Sequence, residues 1–94
     1  MNKRQKKKSR KLQRGIAHRA LDLVLDLTDA GNDSFFWYSG HVDSISVNGY
    51  RGKWSYGKEN AFDERAYLDD RYGKGLHDVV RLLEATKKEL SHEE

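Results

Sequence analysis

Ninety-four residues make one domain, in which folding buries roughly 60–65% of the unfolded surface and leaves a thin core. Hydrophobic residues make up 36% of the chain and charged residues 35%, so ten aromatic side chains have to supply much of the burial. The absence of cysteine excludes a disulfide framework and any cysteine-ligated zinc site, and fits a reducing cytosol.

The net charge of +3 conceals a division. Residues 1–14 hold Lys3, Arg4, Lys6, Lys7, Lys8, Arg10, Lys11 and Arg14 and no acid. That leaves ten of the 18 cationic side chains against all 15 acids in residues 15–94, a net charge of −5. A basic, flexible arm (1–14) followed by an acidic body (15–94) is therefore expected. Basic residues ahead of an apolar stretch imitate a secretion signal, but Asp22 and Asp26 interrupt Leu21 to Leu27. A carboxylate in each turn is incompatible with a signal h-region or a membrane span, so an unexported, cytoplasmic protein is expected.

Dense like charge argues against a stable helix over residues 1–11 in isolation. From Leu12, apolar residues recur every three or four positions (Ile16, Ala20, Leu23, Leu27, Ala30), with Leu21, Val24 and Leu25 widening the face. The spacing predicts a helix that stops at Gly31-Asn32-Asp33. Gly15 costs about 1 kcal/mol against Ala if it is interior to the helix, or else marks the hinge between arm and body.

Ser34 to Ser39 has high strand propensity. Val42 to Val47 and Tyr50 to Tyr56 flank Asn48-Gly49, a strong hairpin signal because a type I′ turn needs positive φ at both central residues. That hairpin would set Ile45, Val47, Tyr50, Trp54 and Tyr56 on one face and Ser44, Ser46, Arg51, Lys53 and Ser55 on the other. Phe62 to Leu68 reads as a further short strand weakened by Asp63-Glu64-Arg65, and Leu76 to Leu90 as a last helix with Glu84 and Lys88 at i,i+4. The expected fold is a two-layer α+β domain: N-terminal helix, antiparallel meander of three or four strands, C-terminal helix.

Catalytic chemistry is sparsely represented. His41 and Asp43 alternate onto one expected strand face near Trp54 and Tyr56, and read as a polar hairpin rim, since no second motif supports an enzyme. Gly73-Lys74-Gly75 lacks the spacing of either phosphate-loop motif. His77 and His92 have no ligand spacing, and no cofactor is expected. Asp22, Asp26 and Asp29 line one helix face, too few for a metal without ligands from another element. They read as a solvated face, or as a stripe for a basic protein partner.

The basic arm is harder to explain structurally. Its functional reading is phosphate contact, in which counterion release gives affinity without sequence specificity; the alternative is a solubilising terminus. No aliphatic or aromatic anchor precedes Leu12 to favour a membrane surface. Arg51 and Lys53 are expected to add exposed contacts. Trp37, Tyr38, Tyr50, Trp54 and Tyr56 are of a type that stacks single-stranded bases, but the scarcity of other core material puts most of them beneath the helices.

Two passages carry a resemblance. Met1-Asn2-Lys3-Arg4-Gln5-Lys6-Lys7-Lys8 is similar to the starts of many small proteins of Gram-positive phages and mobile elements. Phe35-Phe36-Trp37-Tyr38-Ser39-Gly40-His41-Val42, with Ile45, Val47 and Trp54, resembles a strand pattern in uncharacterised proteins from the same source. The resemblance covers about half the chain and implies a phage accessory protein. Such proteins often bind host machinery, including anti-defence, anti-CRISPR-like inhibitors of nucleic-acid-guided nucleases. The expected partner is nucleic acid or a host nucleoprotein complex, engaged without enzymatic activity. The alternative is a protein–protein inhibitor or adaptor acting through the acidic helix face.

Overall fold

A computed structural model describes residues 3–68 and 75–91. Helix α1 (Lys3–Asp29) leads into strands β1 (Ser34–Ser39), β2 (Ser44–Gly49) and β3 (Phe62–Tyr67), and helix α2 (Leu76–Ser91) closes the chain. The strands form one antiparallel sheet in the order β1-β2-β3, and both helices pack on the same face of it. This is the expected two-layer α+β architecture. No helix among the described residues is long and apolar enough to cross a membrane.

The core follows from residue spacing. Ala20, Leu23, Val24 and Leu27 of α1 meet Leu76, Val79 and Leu83 of α2 above Ile45, Val47, Phe62 and Ala66 of the sheet, with Leu68 just beyond β3. Helix α1 ends in a Schellman motif: Asn32 N–H donates to Leu27 O and Gly31 N–H to Thr28 O, with Gly31 at φ +97°. Leu12 and Leu25, expected on the apolar face, are exposed instead. The helix also begins nine residues before Leu12. Lys, Arg, Gln and Leu have intrinsic helix propensities near that of Ala, and here they extend a helix already nucleated by its packed half.

The Asn48-Gly49 hairpin does not form. Strand β2 runs through both residues, with Asn48 between Phe35 and Asp63 and Gly49 between Ser34 and Phe62. The expected partners of Ile45 and Val47 across that turn are replaced by Ala66 and Glu64 of β3, and by Tyr38 and Phe36 of β1. Glycine is required at position 49 because the Phe62 ring lies over it. A Cβ there would sit 2.5 Å from Phe62 Cε1. Residues 50–56 belong to the long β2–β3 connection, and the strand read as doubtful at Phe62 supplies the third strand of the sheet.

That connection is organised from the start of β1. Tyr50 N–H donates to Asp33 O, Asp33 N–H to Gly52 O, and Gly52 N–H to the Asn32 side-chain oxygen at 2.9 Å. The Asp33 carboxylate accepts Trp54 N–H at 2.7 Å, and Lys58 Nζ donates to the carbonyls of Arg51 and Lys53. Backbone bonds to Asp33 and these side-chain contacts thus take the place of the ladder that the expected hairpin would have provided.

Candidate nucleic-acid interface

The sheet has one covered and one open face. Strand alternation sends Phe36, Ile45, Val47, Phe62 and Ala66 towards the helices. The opposite rows are Phe35–Asn48–Asp63, Trp37–Ser46–Arg65 and Ser39–Ser44–Tyr67. Neither helix covers that side, and Phe35 and Trp37 remain 50% and 71% exposed. The β2–β3 connection curls over one end, where Tyr50 meets Phe35 edge-to-face with ring centroids 6.3 Å apart. The result is an open groove of about 530 Å³, lined by Phe35 and Trp37 of β1, Ser46 and Asn48 of β2, Asp63 and Arg65 of β3, and Tyr50 and Trp54 of the connection.

This corrects the expectation that most of Trp37, Tyr38, Tyr50, Trp54 and Tyr56 would be buried. Tyr50 is half-buried; Tyr38, Trp54 and Tyr56 are, with Trp37, exposed, Tyr56 almost fully. Phe62 is the one aromatic of the buried core among the described residues. Aliphatic side chains from the two helices and from the inner face of the sheet fill the space instead.

Arg65 lies on the open face, midway along the edge strand β3. Its guanidinium donates to Ser44 Oγ at 3.2 Å and stands 5.6 Å from the centre of the Tyr67 ring, a cation–π arrangement that fixes its plane. Sequence reasoning did not single out Arg65. The signal was its i,i+2 relation to Asp63 and Tyr67, visible only once 62–67 is accepted as a strand.

The cationic residues lie at the opposite, helical side. Lys3, Arg4, Lys6, Lys7, Lys8, Arg10, Lys11 and Arg14 all fall on the first turns of α1, and positions 3, 7, 10 and 14 repeat along one row of the helix. Lys11 and Arg14 are exposed. Arg10 is tied down: it bonds the Asp43 carboxylate at 2.5 Å, and the same carboxylate accepts the Tyr38 hydroxyl at 2.6 Å. Asp43 has positive φ (54°) in the β1–β2 turn, a conformation that Asp tolerates better than most residues. The hydrogen bond to Asp43, then that to Tyr38, raises the Arg10 pKa above its ordinary value. A raised basic pKa stabilises the fold at every pH below the ordinary guanidinium range and is lost only in strong alkali. The pair is half exposed, so solvent and salt screen it.

The other expected contacts are dispersed. Arg51 and Lys53 lie in the β2–β3 connection rather than on a strand face, and Arg51 approaches Glu89 of α2 at 3.8 Å. In the acidic row of α1, Asp22 and Asp29 are exposed, whereas Asp26 bonds Lys87 of α2 at 2.9 Å. With Arg19–Glu84 at 3.8 Å, it forms part of the seam between the helices. His41 and Asp43 sit in the β1–β2 turn, at the opposite end of β1 from Asp33 and the Trp54 backbone it holds, so the expected neighbourhood of His41 and Asp43 with Trp54 and Tyr56 is not formed. Gly73, Lys74 and His92 lie outside the described residues; His77 is exposed on the first turn of α2. Among the described residues no group of three or more His, Cys, Asp or Glu side chains is placed to hold a metal ion. No protein-family model, curated protein or solved structure matches the chain.

Proposed function

We propose that this is a cytosolic, non-enzymatic binding protein that engages nucleic acid, free or within a nucleoprotein complex, through the cationic first turns of α1. The observation that supports it is the continuity of α1 from Lys3 to Asp29. The cationic segment and the core-forming segment are one helix of ~40 Å, against strands of only ~20 Å. The longest dimension of the molecule, 49 Å against 24 and 18 Å, reflects that overhang.

A helix start is the wrong end for cations. The first turn has no acidic residue, and the positive end of the helix dipole opposes each lysine placed there. Like charges at three- and four-residue spacing add to the conflict. A polyanion laid along the row relieves both at once, because phosphates neutralise the side chains and release counterions. The anti-CRISPR-like role implied by the phage resemblance is the finer form of this proposal, with a nucleic-acid-guided nuclease as the nucleoprotein partner. The acidic row is the weaker surface for an adaptor role, since Asp26 is engaged by Lys87.

The test replaces Lys3, Lys7, Lys11 and Arg14 by Gln, which removes charge but keeps helix propensity. The wild-type chain is expected to bind oligonucleotides with log affinity falling linearly with log salt. The fourfold variant should bind more weakly, with a slope shallower by about 3 (0.7–0.9 per phosphate contact). Equal affinities and equal slopes would falsify the proposal. Partner capture from lysate that survives this variant but fails with Asp22→Asn and Asp29→Asn would favour the adaptor reading.

A further inference from the structure

Large aromatic side chains are costly to leave in water, and this domain leaves four of them around one groove. Phe35, Trp37 and Trp54 are at least half exposed, and Tyr50 is half-buried beside them. The groove is not merely apolar. Ser46 and Asn48 line it from β2 and Asp63 and Arg65 from β3, so hydrogen-bond donors and acceptors stand beside the aromatic rings. One cation and one anion give these flanks no net charge, and Arg65 is already engaged by Ser44 and Tyr67. Such a surface does not attract phosphate. It suits flat heterocycles with polar edges.

We propose that the outer face of the sheet is a stacking platform for unpaired bases, which makes single-stranded nucleic acid the preferred ligand. The inference rests on the phosphate-contact reading above, because the cationic helix is what identifies a polyanion as the occupant of an otherwise uncharged groove. Phe35 and Trp37 are two residues apart on β1, hence ~6.8 Å along the strand. That is about twice the base rise within one strand of a duplex, so each ring takes one base from a strand whose own stacking has opened. Asn48 offers both a donor and an acceptor, Asp63 accepts from exocyclic amines, and Arg65 donates to carbonyl edges. A duplex presents no free base faces and gains nothing here.

The experiment compares a twelve-nucleotide oligothymidylate, the same phosphodiester chain with abasic sites throughout, and a duplex of equal length, all at low salt. Trp54→Phe leaves Trp37 as the single tryptophan, whose fluorescence reports stacking. Oligothymidylate is expected to quench Trp37 and to bind more tightly than either the abasic chain or the duplex. Trp37→Ala should lower its affinity about 5- to 150-fold, the range one base–aromatic stack supplies, and leave the salt slope unchanged. Trp37→Tyr should restore most of the loss. Because Trp37 is 71% exposed, the Ala variant is expected to fold, and circular dichroism checks this. Equal binding of oligothymidylate and abasic chain without quenching would overturn the platform while leaving phosphate contact by α1 intact. Duplex binding as tight as single-strand binding would also overturn it. Failure of all three ligands to bind would overturn the platform and leave, of the phosphate-contact reading, only its nucleoprotein form.

Discussion

The two faces of the sheet differ in what covers their apolar residues. Towards the helices lie Ile45, Val47, Ala66 and Phe62, the one fully buried aromatic among the described residues, with Phe36 partly buried beside them, against leucines and valines of α1 and α2. Away from them lie Phe35, Trp37 and Tyr67, with Trp54 and Tyr50 leaning over from the connection. Aromatic groups thus stand on both faces, and those of the outer face have no helix over them. The difference shows that hydrophobicity alone does not assign a face. Helix coverage decides it, and here both helices lie on one side.

The comparison breaks most directly if outer and inner side chains contribute equally to stability. Leu23→Ala empties a fully buried position and is expected to cost ~2–5 kcal/mol. Trp37→Ala, on the open face, should stay within about 0.5 kcal/mol of wild type. Denaturant unfolding of the two variants checks this, and comparable losses would mean that the outer face is structural. Gly49→Ala comes next. Its methyl group would meet the Phe62 ring, and overpacking of that kind costs ~1–3 kcal/mol. Phe62→Leu in the same background should recover part of the loss, a coupling that thermal unfolding of the double variant would reveal.

The smallest effect concerns α1 above the inner face. Gly15 stands where the cationic half of the helix meets the packed half, and a Cβ there would touch nothing within 4 Å. Gly15→Ala is therefore expected to stabilise the protein by about 1 kcal/mol through helix propensity. A loss of stability instead, read from the same unfolding curves, would mean that the two halves bend at Gly15.

Much of the fold is legible locally. The 3.6-residue spacing of Ala20, Leu23, Val24 and Leu27, the stop at Gly31, the aromatic run of β1 and the spacing of α2 each specify an element from within a few residues. The division of charge between residues 1–14 and the rest is a property of composition and needs no structure at all. The candidate site was legible only in part: its aromatics were visible as possible stacking groups, but their exposure was not.

Three matters were decided by tertiary structure. Asn48-Gly49 has the local chemistry of a tight turn, yet Phe62, thirteen residues on, needs the space above Gly49, and the chain turns later at the connection held by Asn32 and Asp33. Asp63-Glu64-Arg65 looks too polar for a strand, and forms one because its outward positions face solvent. Trp37 is apolar enough for any core, and is left outside because both helices pack on the opposite face of the sheet. Local spacing sets which elements form; which partner covers each face depends on residues distant in the chain, where sequence periodicity holds no information.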